Sequence, residues 1–231
     1  MSLKAELQEE VNKIFIEEWD KRDGNVVPDD KSLAMRNEAV ELDATVLYAD
    51  LDDSTGLVDG FQNYFAAEIY KAYLRCAAKI VNAEGGNITA YDGDRIMAVY
   101  IGNPKNTPAV RSAMKIVYAV NEIIKPRIKA QYPNVDYQPK CVIGVDTSKL
   151  FVAKTGVRDA NDLVWVGRAA NHAAKLTSLP STHSTYITSE VFDGMRDDVK
   201  FFNGQAIWQQ VRWNSFDNRL IYRSTWQWRI D

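Results

Sequence analysis

The Asp92-Gly93 dipeptide constrains the fold of this chain more than any other local feature, because it separates two strand-like runs at 87–91 and 95–101. Asp-Gly favours a tight hairpin turn, since the positive φ angles of that turn match the twist of the strands on either side. Both runs carry β-branched or aromatic side chains, which suit a pleated and partly buried surface. The sequence therefore predicts an antiparallel hairpin near the middle of the chain.

The segments around this hairpin alternate between strand and helix patterns. The predicted elements are a strand at 44–50, a helix at 61–83, the hairpin, a helix at 108–130, strands near 138–146, 149–155 and 162–167, a helix at about 168–177 and a strand around 185–188. We expect Pro126 to kink the second helix or to end it early. The order β-α-β-β-α-β is that of a ferredoxin-like layer, in which helices cover one face of an antiparallel sheet. The predicted fold class is therefore α+β.

Two further segments flank this predicted core, which spans 43–195. Residues 1–42 begin with an amphipathic helix at 3–19, which we expect to pack on its own domain or on a partner, and continue as a polar connector. Residues 196–231 carry four of the six tryptophans on strand-like segments. We expect this C-terminal extension to pack on the same domain.

The composition excludes several classes of function. The formal net charge of the 231 residues is −3 and no long basic run is present, so no nucleic-acid partner is expected. No apolar run approaches the ~18 residues of a membrane span, and the first residues lack the apolar segment of a signal peptide. Cys76 and Cys141 lie far apart in the sequence and are interpreted as buried thiols. We therefore expect a cytoplasmic protein with no membrane partner.

The first cluster that could carry chemistry lies at the end of the predicted strand at 44–50. Asp50 ends this strand, and Asp53, Ser54 and Thr55 precede the next helix. A carboxylate at a strand end can bind Mg²⁺ or Mn²⁺, and the amides of the following turn suit phosphate oxygens. The alternative interpretation is that this turn simply caps the helix.

The second cluster is the hairpin itself, where Asp94 follows the Asp92-Gly93 turn. In a ferredoxin-like layer the first strand and the central hairpin are neighbours, so Asp94 can come close to Asp50. Two carboxylates at that distance repel each other unless a cation lies between them. The pair is therefore either a metal site or an energetic liability.

The third cluster lies in the predicted helix at 168–177. Asn171 and Lys175 are four residues apart, so they lie on one face of this helix. An amide and a cation presented together could hold a ribose oxygen and a phosphate. The pair is weak evidence alone, because Asn and Lys are common on exposed helix faces.

Together the three clusters resemble the catalytic domain of class III adenylate and guanylate cyclases, over roughly 43–195. The matching motifs are Leu47-Tyr-Ala-Asp-Leu-Asp-Asp-Ser-Thr55, Gly93-Asp94-Arg-Ile-Met-Ala98, Ile143-Gly-Val-Asp-Thr147 and the segment from Val166 to Leu176. Diguanylate cyclases share a similar layer, but their hairpin reads GGDEF-like, whereas this hairpin reads Tyr-Asp-Gly-Asp.

The resemblance implies a role for each residue. Asp50 and Asp94, with the Leu51 carbonyl, would bind two divalent cations, Mn²⁺ or Mg²⁺. Asn171 would orient the ribose, and Lys175 would stabilise charge at the α-phosphate. In such enzymes these two groups come from the other protomer, so the resemblance implies a homodimer with composite active sites. The implied reaction is attack of the ribose 3′-hydroxyl of a nucleoside triphosphate on its α-phosphate.

Two departures from the family pattern bear on the substrate. The family usually carries Arg at the position of Lys175, and Lys lacks the planar bidentate fork. The residues that read the purine base are also missing, because their positions hold Ala90 and Val164. Tyr48 and Tyr91 flank the two aspartates and would narrow the pocket. A pyrimidine triphosphate is therefore the expected substrate, with UTP favoured.

The layout, a leading helix and a Trp-rich tail with no attached sensor domain, is similar to the pyrimidine cyclases of Pycsar anti-phage defence. The resemblance then implies that the product, cyclic UMP, acts on a separate effector. The sequence also leaves open an adenylate cyclase, a cytidylate cyclase and a pseudoenzyme that binds nucleotide without turnover. A purely structural interaction module is a further alternative, supported only by the amphipathic start and the aromatic tail.

Overall fold

A computed structural model describes residues 2–157 and 160–231. Its strands are β1 (Asp20–Asp23), β2 (Glu38–Leu51), β3 (Asn87–Asp92), β4 (Arg95–Ile101), β5 (Cys141–Val157), β6 (Ala160–Val166), β7 (Thr185–Thr188), β8 (Phe201–Phe202), β9 (Gln205–Ala206), β10 (Gln209–Trp213) and β11 (Arg219–Ser224). Its helices are α1 (Leu3–Ile16), α2 (Ser54–Gly60), α3 (Asn63–Ala83), α4 (Asn106–Ala119), α5 (Lys125–Gln131), α6 (Arg168–Leu176) and α7 (Ser189–Gly194). A π-helical turn (Val120–Ile124) joins α4 to α5, and a 3₁₀ turn (Asp197–Val199) follows α7.

The centre of the molecule is a sheet in the order β10-β11-β7-β5-β2-β4-β3, with β1 added beside β2 and β6 beside β5. Strands β5-β2-β4-β3 are antiparallel neighbours and are joined through α2 and α3 and through α4 and α5. This arrangement is the predicted ferredoxin-like βαββαβ core, which is confirmed together with the α+β class. The hairpin predicted from Asp92-Gly93 is present, and Gly93 has a φ of 60°.

The two faces of this sheet pack against different helices. Alternate residues of β2 point to opposite faces. Leu47, Ala49 and Leu51 join a core with α3 and α4, whereas Val40, Leu42, Ala44 and Val46 join a second core with α6. The expectation that helices cover one face only was therefore wrong. Residues of β2, β5 and α6 pack together in this second core, so α6 lies directly against the strands that carry the candidate site.

Of the two outcomes predicted for Pro126, a kink or an early end of the second long helix, the early end does not occur. Proline lacks an N–H and its ring crowds the carbonyl four residues earlier, which would break a regular helix. Here the π-helical turn changes the hydrogen-bond pattern just before Pro126, and α5 continues the helix to Gln131. Likewise, the runs predicted as separate strands at 138–146 and 149–155 form the single long strand β5.

The N-terminal helix stands apart from this body. No residue of α1 is buried, and its large apolar side chains are exposed, from 49% for Leu7 and Val11 to 83% for Phe15. Its C-terminal end is held by Asn37, whose Nδ2 donates to the Ile14 and Glu17 carbonyls, each at 2.8 Å. Strand β1 then runs parallel to the start of β2. The connector predicted up to residue 42 is thus partly strand.

The C-terminal extension adds two strands to the central sheet. Strand β11 pairs with β7, and β10 pairs with β11. Trp208 and Trp213 are buried, and Nε1 of Trp208 donates to the Val199 carbonyl at 2.7 Å. Trp208 joins the core formed with α3 and α4, whereas Trp213 packs in a separate cluster with Leu176 of α6 and Tyr186 of β7. Among the helices of the described residues, none has the length and apolarity needed to cross a bilayer.

Gly144 allows α6 to lie close to the sheet, and we expect Gly144→Ala to destabilise the protein. A Cβ at this position would overlap the Ala173 carbonyl of α6 and lie 2.7 Å from Cβ of Leu176. Overpacking of this kind costs about 1–3 kcal/mol, which lowers the melting temperature of a chain of this size by roughly 3–10 °C. Thermal unfolding followed by circular dichroism measures the effect. Gly60→Ala, where the added Cβ would meet nothing, is the matched control, and an equal loss in both variants would contradict the prediction.

Candidate active site

Asp50 lies near the C-terminal end of β2, opposite Val142 of β5. Its carboxylate forms an ion pair with Arg95, with 2.9 Å between Oδ2 of Asp50 and the Arg95 guanidinium. Arg95 begins β4, directly after the hairpin turn and Asp94. The pairing of β2 with β4 therefore brings Asp50, Asp94 and Arg95 to one end of the central sheet.

Asp94 is the uncompensated charge in this group. Its Oδ2 is buried and has no hydrogen-bond partner among the described residues. Burial raises the pKa of the Asp94 carboxyl, and the negative charge of Asp50 raises it further, against hydrogen bonds from its own backbone and from Ser54. A buried carboxylate oxygen without a donor is unfavourable unless another positive group reaches it.

The two carboxylates line one small cleft. Its volume is about 230 Å³, and its walls come from residues 50–55, from Asp94 and Arg95, and from Val142 and Thr177. No three His, Cys, Asp or Glu side chains are grouped tightly enough to bind a metal alone within residues 2–157 and 160–231. A cation here would therefore need further oxygens. The Leu51 carbonyl and substrate phosphates are of the hard type that Mg²⁺ and Mn²⁺ prefer. The orphaned Oδ2 of Asp94 fits such a cation.

The turn between β2 and α2 caps the next helix and also borders the cleft. Asp53 has a φ of 55°, and its Oδ1 accepts a hydrogen bond from the Gly56 amide at 3.2 Å. Asp53 therefore caps α2, which was the alternative interpretation of this cluster. Ser54 lies near Asp94 and lowers the pKa of its carboxyl, and Thr55 is exposed beside the cleft.

The predicted base-pocket residues do not all lie together. In the sheet, Tyr48 pairs with Met97 of β4 and Met97 pairs with Ala90 of β3, so these residues share one face. Tyr48 is half-buried, whereas Tyr91 is 56% exposed. Val164 lies on β6 opposite Ala153, which pairs with the start of β2. At about 3.3 Å per residue, that end of β2 is roughly 36 Å from Asp50. Val164 is therefore remote from the cleft of its own chain.

Asn171 and Lys175 lie on the exposed side of α6. Neither residue lines the cleft that contains Asp50 and Asp94. The Lys175 ammonium lies 4.3 Å from the ring centroid of Phe216, in the loop between β10 and β11. Within one chain, the acidic group and the Asn171/Lys175 pair are therefore separate.

The opposite side of α6 is anchored by a buried carboxylate. Asp146 of β5 is fully buried, and its Oδ2 lies 3.1 Å from Nδ1 of His172 and 3.2 Å from Nε of Arg168. These three atoms are too poorly aligned for hydrogen bonds, so the contact is electrostatic. Oδ1 of Asp146 accepts a hydrogen bond from Thr188 at 2.5 Å. Burial raises the pKa of Asp146 and lowers that of His172.

Comparison with known proteins identifies the family. The chain is 57% identical over 232 residues to a uridylate cyclase from Xanthomonas perforans, and the match covers 100% of both chains. It is 45% identical to a uridylate cyclase from Burkholderia cepacia, again over 100% of both. A third uridylate cyclase, from a Rhodovulum species, is 33% identical over 99% of this chain and 98% of its own. The chain belongs to the uridylate cyclase family. No model of a protein family matches it.

Solved structures share the fold of this cyclase. A bacterial light-regulated adenylyl cyclase matches 83% of the chain, and 55% of its own, with a TM-score of 0.68 and 17% identity. A dimeric guanylyl cyclase domain from Blastocladiella emersonii matches 80% of the chain, and 97% of its own, with a TM-score of 0.62 and 14% identity. The guanylate cyclase domain of a Catenaria anguillulae protein in complex with GTP matches 81% of the chain, and 99% of its own, with a TM-score of 0.63 and 16% identity. The predicted resemblance to class III nucleotidyl cyclases is confirmed, and the chain is a nucleotidyl cyclase.

Sequence reasoning missed several residues around this cyclase's cleft and α6. Arg95 directly follows Asp94 in the hairpin motif, and Asp146 is the one charged residue in the apolar run 141–146, so both carried a visible signal. Thr177 lines the cleft from beyond the end of α6. Its position, like that of Phe216, depends on how distant segments pack, and no local pattern marks either residue.

We expect Asp94→Asn to raise the thermal stability of the protein in the presence of EDTA. The substitution keeps the side-chain size and removes the negative charge of a half-buried carboxylate that faces Asp50 and has one oxygen without a hydrogen-bond partner. Relief of a carboxylate oxygen buried without a donor is worth about 1–3 kcal/mol, or a rise in melting temperature of roughly 3–10 °C. Differential scanning calorimetry provides the measurement, with Asp59→Asn on the exposed surface of α2 as the control. A lower melting temperature for Asp94→Asn than for the wild type would contradict this electrostatic account.

Proposed function

We propose that this chain converts UTP into 3′,5′-cyclic UMP and pyrophosphate, as a homodimer that uses two divalent cations. One observation carries the proposal: a buried, partnerless oxygen of Asp94 lies beside Asp50 in an oxygen-lined cleft. Full-length relatives that are named uridylate cyclases support the choice of substrate. In the reaction, the ribose 3′-oxygen forms a bond to the α-phosphorus while the bond from that phosphorus to the leaving pyrophosphate breaks. The hydroxyl proton is released to solvent.

Asp50 and Asp94 would hold the cations, Mn²⁺ or Mg²⁺, with the Leu51 carbonyl as a further ligand. When bound, such cations acidify the attacking hydroxyl and neutralise the triphosphate. Arg95 contributes positive charge at the same end of the sheet, because it already contacts Oδ2 of Asp50. The turn at 53–55 borders the cleft and would contact the phosphate groups through its backbone amides and the Ser54 and Thr55 hydroxyls.

The second half-site would come from the other protomer. Asn171 and Lys175 are exposed and do not line the cleft of their own chain. In a twofold dimer, the same surface of each protomer can contribute to two equivalent composite sites. Asn171 would then orient the ribose of the substrate bound by the partner. Lys175 would stabilise the negative charge that develops on its α-phosphate.

A pyrimidine base suits the residues near the acidic pair. Tyr48 and Ala90 flank Met97 on one face, and Tyr91 follows Ala90. The Ala90 side chain cannot hydrogen-bond a base, whereas the half-buried Tyr48 fills space and carries a phenol. Burial raises the pKa of Tyr48, so its hydroxyl remains protonated and able to donate at neutral pH. Val164 would reach a base only from the partner protomer.

We further propose, on the Pycsar resemblance, that cyclic UMP is a second messenger of anti-phage defence and acts on a separate effector. A location in the cytoplasm, where UTP is available, agrees with this role and stays a prediction.

We expect purified protein with Mn²⁺ to form cyclic UMP as its main product when ATP, GTP, CTP and UTP are supplied separately. Asp50→Asn should lower turnover at least about a hundredfold, because a metal ligand contributes several kcal/mol to stabilising the phosphoryl charge. Product analysis by liquid chromatography and mass spectrometry measures both effects. Asp59→Asn, which changes an exposed carboxylate of α2, should retain activity. Cyclic AMP as the dominant product would instead establish an adenylate cyclase, and no product from any triphosphate would indicate a pseudoenzyme.

We expect Asp50→Asn protein and Lys175→Ala protein to restore activity when mixed under conditions that exchange subunits. Each heterodimer would contain one composite site with all its groups intact, so an equal mixture should recover up to about a quarter of wild-type turnover. Differently tagged subunits allow heterodimers to be isolated and assayed. Isolated heterodimers without activity would show that each chain completes its own site.

A further inference from the structure

The C-terminal hairpin of β10 and β11 places an aromatic ring beside Lys175. Phe216 lies in the loop of this hairpin, and the Lys175 ammonium lies 4.3 Å from its centroid. Lys175 forms no ion pair with any carboxylate of the described residues. Its side chain is long and exposed, and such side chains otherwise sample many rotamers. The ring is therefore the contact that orders this cation.

Phe216 is itself held on several sides. The ring of His172 meets it edge-on, with centroids 4.8 Å apart and planes at 81°. His172 and Lys175 are three residues apart, so they are neighbours on α6. Trp213 packs against Phe216 from within the hairpin, with ring centroids 4.7 Å apart. The contacts thus run from the buried Asp146 through His172 and Phe216 to the Lys175 ammonium.

The loop of the hairpin fixes where Phe216 points. The Phe216 amide donates to the Trp213 carbonyl at 3.0 Å, and the Arg219 amide donates to the Phe216 carbonyl at 3.2 Å. Asp217 and Asn218 both have positive φ angles, a conformation that Asp and Asn tolerate better than most residues. A loop with two such internal hydrogen bonds holds its apex residue in a defined orientation.

We propose that Phe216 is a positioning residue for the cyclase reaction, because its ring holds the Lys175 ammonium in the orientation in which it meets the α-phosphate. This inference rests on the proposed function of Lys175. A cation above a ring face keeps its remaining N–H donors on the side away from the ring, free for phosphate oxygens. The aromatic C-terminal extension thereby gains a role in catalysis in addition to its role in the core.

Three substitutions at and near Phe216 test the proposal. Phe216→Leu removes the ring but keeps an apolar side chain, and we expect kcat to fall about two- to fivefold with little change in KM. Phe216→Tyr keeps the ring and should restore nearly wild-type turnover. Tyr222→Leu is the matched control, because Tyr222 lies in the same hairpin but stacks on Phe192 at 3.8 Å. That variant should lose stability without a loss in kcat.

A double-mutant cycle separates positioning from a general loss of structure. If Phe216 acts through Lys175, then Phe216→Leu should change the residual kcat of a Lys175→Ala protein by less than about 1.5-fold. An equal fall in kcat with and without Lys175 would overturn the proposal. So would a rise in kcat for Phe216→Leu, since that result would mean the ring holds the ammonium away from the substrate.

A spectroscopic measurement tests the contact without any activity. In protein labelled with ¹³C-lysine, the Lys175 ε-methylene protons should show an upfield ring-current shift that disappears in Phe216→Leu. Lys175→Ala identifies the signal. An unshifted signal in the wild type would overturn the proposal by itself. A shifted signal in a protein that makes no cyclic nucleotide would instead refute the proposed function, because the contact would then exist without the reaction.

Discussion

The antiparallel pairing of β2 with β4 holds the Asp50 and Asp94 side chains at one end of the central sheet. This constraint causes the electrostatic repulsion between the two carboxylates and also determines the chemistry that the cleft can support. Asp50 obtains partial compensation from Arg95, whereas one oxygen of Asp94 is buried without a partner. Asp50 lies on β2 and Asp94 directly precedes β4, and both strands are buried on both faces, so neither strand can shift to separate the carboxylates without disrupting two cores. Carboxylates that are held close together repel one another until a cation is bound. This repulsion in the unbound protein is the energetic cost of a cation site.

The opposite face of the sheet holds α6, which carries Asn171 and Lys175, with the same rigidity. Gly144 lets α6 approach β5 closely, and the buried Asp146 attracts Arg168 and His172 from the first two turns of that helix. Breaking a buried charged contact by removing one partner is costly, so the register of α6 on the sheet is firmly set. Asn171 and Lys175 project from the other side of the same helix. The buried contacts of Asp146 thus determine where α6 presents the exposed Asn171 and Lys175 side chains.

The sequence was sufficient for the core and for the identity of the acidic pair, since both depend on local patterns. The Asp92-Gly93 turn and the alternating elements predicted the βαββαβ order, and the strand end and hairpin predicted which aspartates would be neighbours. The position of α6 on the second face could not be read from periodicity, because a helix stripe shows that a face is buried but not against which surface. The π-helical turn before Pro126 and the separation of Val164 from Asp50 likewise depend on tertiary packing and strand register. The individual roles of Asp50, Asp94, Asn171 and Lys175 stay predictions.

The flexibility of the Lys175 side chain explains why its contact with the C-terminal hairpin matters. The class III family usually presents an arginine here, whose planar fork can bind phosphate oxygens at two points and so defines its own orientation. A lysine ammonium is a compact charge on a flexible stem, so it needs an external contact to restrict its rotamers. Phe216 supplies that contact at 4.3 Å, and the ring in turn depends on Trp213, on His172 and on a loop with two positive φ angles. Under the proposed role of Lys175, a chain with arginine at this position would need less of this support, because the planar guanidinium fork defines its own orientation on a phosphate.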